Sequence, residues 1–456
     1  MIFVCEFLKL RRFTTNSSNS KQQSSFHQGT CKCDQRTALS RSNEQIIFLP
    51  LIAPFHDKKR VEKVVSNYRK WLIDFYNLEL HLESKLGPEV RRCINSAAGV
   101  LVLVVTGGTE QLIQQIVSLR QPTIIIAHES MNSLPSALEA ISPLEDKPQL
   151  VAAKTRGELG KVRSFVRAAK AFSRIRHYRL GLIGGPSSWL TYSTPDRKQL
   201  SRHLGIRLID IPMNEFKRAY QLDTKPVAEK LGVGARSGSV SSKERITTDD
   251  FRKSGAVYAA IKKLSEKHNL TAASLKCFDL IDDFQATGCY AVARLNNENF
   301  VTGCEGDVPA TAAMIVLSEI SKDPTFLANA SFVRGHTLAL THCTIAPRLT
   351  TSFRYRTHFE SGLGVAIAGA LKKGRRVTIL RFSNTLQRLR AGEGIVVKGH
   401  AWSEQLCRTQ TQIKMDGNAQ LIKDQPIGNH YVVAYGQHID TLRSLAFLAR
   451  MTFEEI

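Results

Sequence analysis

The feature that most restricts the fold is a repeated cadence: a short apolar run, a glycine-rich or polar turn, then a stretch with helical period. Residues 46–51 (Ile-Ile-Phe-Leu-Pro-Leu) and 99–105 (Gly-Val-Leu-Val-Leu-Val-Val) contain no alternating polar positions, so they read as strands buried on both faces. Between them, residues 61–76 place Val61, Val64, Val65, Tyr68, Trp71, Leu72 and Phe75 on one helical face. The second run leads through Thr106-Gly107-Gly108-Thr109-Glu110 into a helix at 111–119. A third, 123–127, leads through His128-Glu129-Ser130-Met131-Asn132 into a helix around 135–141. A basic helix at 156–172 follows. The cadence then resumes with a strand at 180–183, the turn Gly184-Gly185-Pro186-Ser187-Ser188-Trp189, and strands at 206–211 and 272–278 flanking an amphipathic helix at 249–268. Parallel strands joined by crossover helices satisfy such a pattern.

Beyond residue 330 the cadence stops. Residues 337–343, 365–368, 376–382, 394–397, 407–415 and 428–436 are strand-like with few helices between them, and a helix at 440–448 closes the chain. This predicts an antiparallel sheet or barrel. The expected fold is therefore α/β: two parallel-sheet, Rossmann-like α/β domains at 45–155 and 156–299, then a β-rich, barrel-like domain at 300–456. Residues 1–44 include a Ser/Asn/Gln-dominated stretch at 16–28 that is too polar to bury a core, and they read as a disordered extension.

Composition narrows the function. A formal net charge of +23 favours anionic partners. The Lys and Arg residues are scattered, and no aromatic-rich RNA-binding pattern interleaves them, so nucleic acid is not expected. Phosphorylated or sulfonated small molecules fit the charge. No run approaches the roughly 18 apolar residues of a membrane span. The nine cysteines show no disulfide-framework spacing, which points to a reducing, cytoplasmic setting. Neither Gly-Gly turn carries a dinucleotide fingerprint or a phosphate-loop lysine, so a nucleotide site is excluded.

The chemistry concentrates in Gly303-Cys304-Glu305-Gly306-Asp307-Val308-Pro309-Ala310. In an extended segment, carboxylates one residue apart point to the same face. Asp307 stands where the N-cap of a helix at 310–320 would be, with Pro309 presetting its first turn. The plain alternative is a capping aspartate beside a solvated glutamate. His342 and His430 recur downstream, and carboxylates with imidazole suit Mn²⁺ or a similar divalent ion. In parallel sheets ligands bind beyond the carboxyl ends of strands, and His128, Glu129 and Asn132 fall at one such end as candidate substrate-binding residues.

Gly303-Cys304-Glu305-Gly306-Asp307-Val308-Pro309, His342-Cys343-Thr344 and Gly428-Asn429-His430 resemble the L-fucose/L-arabinose isomerase superfamily, closest to its short L-fucose isomerase-like branch. The stretches Leu49-Pro50-Leu51-Ile52-Ala53-Pro54, Thr106-Gly107-Gly108-Thr109 and Asn132-Ser133-Leu134-Pro135 agree with that branch. The resemblance implies metal-dependent aldose–ketose isomerisation through an enediol, and a homo-oligomer (trimer or hexamer) with active sites between subunits. It implies Asp307 as a metal ligand that doubles as proton acceptor and His430 as a metal ligand; Glu305, the near neighbour of Asp307 in the motif, is the second acid/base candidate, and His342 a candidate substrate-binding residue. The family's upstream acidic ligand has no counterpart in Ala286-Thr287-Gly288-Cys289-Tyr290; Asp279, Asp282 and Asp283 lie earlier. A carbohydrate-binding relative without isomerase activity is the alternative reading.

Overall fold

The computed structural model describes residues 44–72, 76–77, 86–194, 196–221, 239–240 and 245–456. The expected extension at 1–44 lies outside them, except for Glu44, whose carboxylate pairs with Arg174 at 3.3 Å. Most of residues 223–248, a polar, Gly/Ser-containing stretch that the sequence marks as a surface helix and loop, also lies outside.

Among the described residues, two parallel sheets, a barrel and a small three-stranded sheet (Ala366–Leu371, Thr350–Arg356, Ser239–Val240) make up the fold. The first sheet runs Tyr76–Asn77, Ile46–Leu51, Gly99–Val104, Thr123–Ala127, Gln149–Ala152, all parallel. Its three central strands are buried along their whole length, as their unbroken apolar sequence requires. The second sheet runs Val301–Cys304, Ala272–Leu275, Arg179–Ile183, Arg207–Ile211, again parallel. The third closes on itself. Arg376–Phe382, His430–Tyr435, Phe326–Arg334, Thr337–His342, Thr409–Met415 and Arg388–Lys398 pair antiparallel in that order, and the last returns to the first. Thr452–Glu455 adds to the barrel in parallel. The α/β-then-barrel architecture is thus the one the cadence and its loss predict.

Two details differ from the sequence expectation. Phe326–Arg334 and Thr350–Arg356 are strands that the apolar pattern does not mark, because the first is half-exposed over its later residues and the second alternates Arg and Ser with Phe and Tyr. The strand leading into the carboxylates is hydrogen-bonded into the second parallel sheet, not into the β-rich region.

One helix joins these layers. Val308–Ser321 carries no polar residue but Thr311 before its last turn, and every residue from Val308 to Leu317 is buried. A helix without a polar face must be enclosed on all sides. It lies against Val301–Cys304, against barrel strands Arg376–Phe382 and His430–Tyr435, and against helix Gly160–Ile175. Leu180, Leu182 and Val301 of the sheet share one core with Leu380, Phe382, Val432 and Ala434 of the barrel. Each such side chain contributes about 1.5–3 kcal/mol by burial. That core fixes the carboxyl edge of the second sheet against one end of the barrel. Among the described residues no helix is long and apolar enough to cross a membrane.

Candidate metal centre

The carboxylates stand on a tight turn, not an extended segment. Glu305 and Gly306 take consecutive left-handed conformations (φ 61° and 69°). For a non-glycine residue this is strained by about 1–3 kcal/mol and persists only when its surroundings enforce it. Three contacts do so. The Glu305 carbonyl accepts from Ser187 N–H (3.0 Å), Gly306 N–H donates to the Leu275 carbonyl (3.1 Å), and Asp307 N–H donates to the Cys304 carbonyl (3.2 Å). Gly306 is pressed against the Gly184–Trp189 turn. A Cβ there would collide with the Gly185 carbonyl oxygen and come within 2.7 Å of Pro186 Cα. The carboxylate turn and the second Gly-Gly turn are therefore one packed unit.

Asp307 is the N-cap of the central helix, its Oδ1 accepting from Ala310 N–H at 2.8 Å. Its other oxygen does more. Oδ2 accepts from Arg381 Nη1 at 2.9 Å and lies 2.9 Å from His430 Nδ1, and all three side chains are fully buried. Arg381 is anchored further by the Ile427 carbonyl (3.1 Å) and Ser193 Oγ (2.7 Å). Burial would raise the Asp307 carboxyl, but the Arg381 charge and the His430 hydrogen bond outweigh it and bring it to about 2. An ionised carboxylate only accepts, so the proton of this pair sits on His430 Nδ1.

That assignment turns His430 Nε2 toward Glu305. Nε2 is buried and has no hydrogen-bond partner, and Glu305 Oε1 is 3.5 Å away. His342 Nε2 stands 3.7 Å from the same oxygen, with its Nδ1 bonded to Thr344 Oγ1 at 3.0 Å. One donor atom from each of Glu305, His342 and His430 falls within 4.8 Å of the others. Glu305 Oε2 accepts from Trp189 Nε1–H at 3.0 Å. Burial raises Glu305, but the His342 and His430 imidazoles beside it hold it well below the usual carboxylate range. Burial lowers His430, but its hydrogen bond to Asp307 and the nearby Glu305 carboxylate prevail and raise it to about 9. In the ion-free state a proton on Nε2 does the work that a cation could do.

These residues fit a divalent ion. An orphaned buried nitrogen, a second imidazole and a carboxylate converge, and a carboxylate behind the histidine fixes its tautomer. Asp307, expected from the sequence as a ligand, stands behind His430 with both oxygens engaged. His342, expected as a sugar contact, stands in the triad. Arg381, Trp189 and Thr344 were not singled out from sequence. An arginine inside the apolar run Arg376–Phe382 was the available signal for the first.

The other expected contacts lie elsewhere. His128 is buried, with its ring bonded to the Val105 carbonyl (3.0 Å) and Ser130 Oγ (2.8 Å). Glu129 pairs with Lys154 (2.9 Å), and Asn132 is a left-handed helix cap. Their partners Val105, Ser130 and Lys154 belong to the N-terminal sheet unit. The upstream acids are engaged too, Asp279 with Lys276 (3.1 Å) and Asp283 with Lys217 (2.6 Å).

No family model matches the chain. The sulfoquinovose isomerase of Clostridium sp. (strain MSTE9) is 20% identical over 369 residues, covering 74% of this chain and 79% of that protein. The sulfoquinovose isomerases of Priestia aryabhattai and Priestia megaterium (strain ATCC 12872 / QMB1551) are each 23% identical over 260 residues, 55% of this chain. The chain spans 57% of the length of each Priestia relative. The likeness is to sugar isomerases, without singling out the fucose or arabinose enzymes.

Proposed function

We propose that this protein is an aldose–ketose isomerase, an intramolecular oxidoreductase, whose substrate is an anionic, sulfonated hexose such as sulfoquinovose. The observation that carries the reading is His430: a buried imidazole whose Nδ1 is held by Asp307 and whose unpartnered Nε2 faces Glu305. A net charge of +23 favours an anionic substrate over a neutral one.

In this reading Glu305, His342 and His430 hold a divalent ion, with Mn²⁺ the first choice. When bound, the ion polarises the carbonyl and neighbouring hydroxyl of the sugar. Asp307 positions His430 and, held by three donors, keeps its charge. Glu305 is the acid/base group. Its Oε2 takes the proton from the carbon beside the carbonyl and returns it to the former carbonyl carbon, while a hydroxyl proton passes between the two oxygens. The carbon skeleton gains and loses no atoms, as an isomerisation requires. A homo-oligomer, trimer or hexamer, acting in the cytoplasm belongs to the same proposal. It would bring the His128–Asn132 turn of a neighbouring copy toward the turn that carries Glu305 and Asp307, and light scattering that finds only monomer at micromolar concentration counts against it.

The test incubates purified protein with Mn²⁺ and a panel of aldoses including sulfoquinovose in deuterated water, read by NMR at C1 and C2. The expected result is conversion of sulfoquinovose to its ketose with deuterium entering at the reacting carbon, abolished by chelation and by Glu305→Gln. No conversion of any aldose would overturn isomerisation. Sugar binding without conversion would identify the non-isomerising alternative, which the missing acid at Ala286-Thr287-Gly288-Cys289-Tyr290 favours.

A further inference from the structure

The Gly184–Trp189 turn ends on an aromatic side chain in an unusual position. Trp189 is 50% exposed, one of few large apolar side chains on the described surface, and Tyr192 three residues later is 37% exposed. An exposed indole beside a buried charged cluster forgoes burial that other tryptophans in a chain use, so its placement calls for a reason. Its polar edge is not free. Nε1–H donates to Glu305 Oε2 at 3.0 Å, the oxygen that faces away from the histidines. One flank of the ring meets the edge of Phe278 at 4.8 Å and 81°, and Phe278 in turn meets His358 at 5.5 Å and 79°. An edge contact leaves area on the indole uncovered, consistent with its exposure. The turn that carries Trp189 is clamped to the carboxylate turn by Ser187 N–H and by the Gly185–Gly306 packing, and Arg381 reaches Ser193 on the same loop. The indole is thus held rigidly beside Glu305 with a polar tip engaged and an apolar face open.

Resting on the isomerase reading, the geometry points to Trp189 as a residue with two functions at this site: its N–H fixes which Glu305 oxygen meets the ion, and its open face is the stacking platform for the apolar C–H face of the sugar ring. A carboxylate held through one oxygen presents the other in a single orientation, which is how outer-shell partners tune a metal site. A flat aromatic face with a polar edge matches a ring whose hydroxyls point outward and whose C–H bonds point to one face. The two functions separate by substitution. Phe keeps a platform and removes the N–H; Ala removes both.

Emission of Trp189 is isolated as the difference between the wild-type protein and Trp189→Phe, then titrated with Mn²⁺ alone and with sulfoquinovose. Both probes should change that difference emission. Trp189→Phe should weaken Mn²⁺ binding about tenfold while leaving KM at saturating Mn²⁺ within about twofold. Trp189→Ala should raise KM about tenfold in addition. Melting temperatures recorded alongside separate these effects from unfolding, and the Phe variant stands in where Ala does not fold. If the wild type converts sugar but Trp189→Ala alters neither KM nor Mn²⁺ affinity, the role of Trp189 is wrong and the isomerase reading stands. If the wild type binds Mn²⁺ and converts no sugar, the isomerase reading fails. The Trp189 inference is then judged by the emission alone, and it is overturned if sulfoquinovose leaves the emission unmoved.

Discussion

Two Gly-Gly turns occupy equivalent places in the two parallel sheets, and they have been put to different uses. Thr106-Gly107-Gly108-Thr109 closes on its own unit. Gly107 N–H donates to the Met131 carbonyl (2.8 Å), Thr109 Oγ1 reaches the Thr106 carbonyl (3.2 Å), and the adjacent His128 ring is satisfied at both nitrogens. Gly184-Gly185-Pro186-Ser187 closes on a different segment, the carboxylate turn, and that segment leaves His430 Nε2 without a partner. The sequence cadence is the same in both. What separates a structural turn from a candidate site is whether polar groups are satisfied locally. Buried donors and acceptors are paired in ordinary structure, so an orphan carries information.

The largest effect that would sharpen this comparison is at Arg381. Its guanidinium compensates Asp307, and both are fully buried. Arg381→Met should destabilise the protein by about 3–5 kcal/mol, because it takes the guanidinium from a fully buried carboxylate that keeps only His430 and the Ala310 N–H. Urea unfolding measures it, and a loss under 1 kcal/mol would mean the pair is not buried as described. The glycines come next. Gly306→Ala forces a collision with Gly185 and Pro186 and should cost about 2–3 kcal/mol. Gly108→Ala keeps the φ of 82° as its penalty but meets Phe55 only at 3.4 Å, an ordinary contact, and should cost about 1 kcal/mol. Equal losses would erase the distinction between the turns.

The third contrast is between the two buried histidines. His430→Gln should weaken Mn²⁺ binding by about a hundredfold, whereas His128→Gln should leave it unchanged, as read by calorimetry. The smallest effect is on pH dependence without metal. His430 rises from an ordinary 6.5 to about 9, so it contributes stability that is full below about 6.5 and lost as pH rises through about 9. Asp307 falls from 3.8 to about 2, so its contribution is present above about 3.8 and lost as pH falls toward 2. Thermal melts should therefore show highest stability between roughly pH 4 and 6.5 for these two groups. Adding Mn²⁺ should remove the alkaline decline, since the ion replaces the Nε2 proton. A decline on the alkaline side that persists with Mn²⁺ would argue against His430 as a ligand.

Much of the fold was legible because periodicity is a local property. Short unbroken apolar runs rich in β-branched residues at Ile46–Leu51, Gly99–Val104 and Thr123–Ala127 read as strands covered on both faces, and the longer, Ala-containing run Val308–Leu317 as an enclosed helix. Phe326–Arg334 was illegible because its later residues are half-exposed and its role depends on barrel partners far along the chain. At the site, Asp307 as a helix cap was readable from three residues of context.

The sequence by itself offered candidate groups: Glu305, Asp307, His342 and His430, which the fold brings together, and His128, Glu129 and Asn132, whose contacts stay in the N-terminal unit. Tertiary structure alone decided how the work is divided among them. Spacing predicted two carboxylates on one face, but the left-handed turn at Glu305 and Gly306, enforced by the Gly185–Ser187 contacts, sends them apart. Glu305 meets the histidines and Trp189, while Asp307 turns back to Arg381, His430 and the helix it caps. The side-chain partners of these carboxylates lie 37 (Glu305 to His342) to 125 (Glu305 to His430) residues away, brought near by one shared core. A carboxylate's role follows from its nearest charges and donors, and distance along the chain carries no information about those.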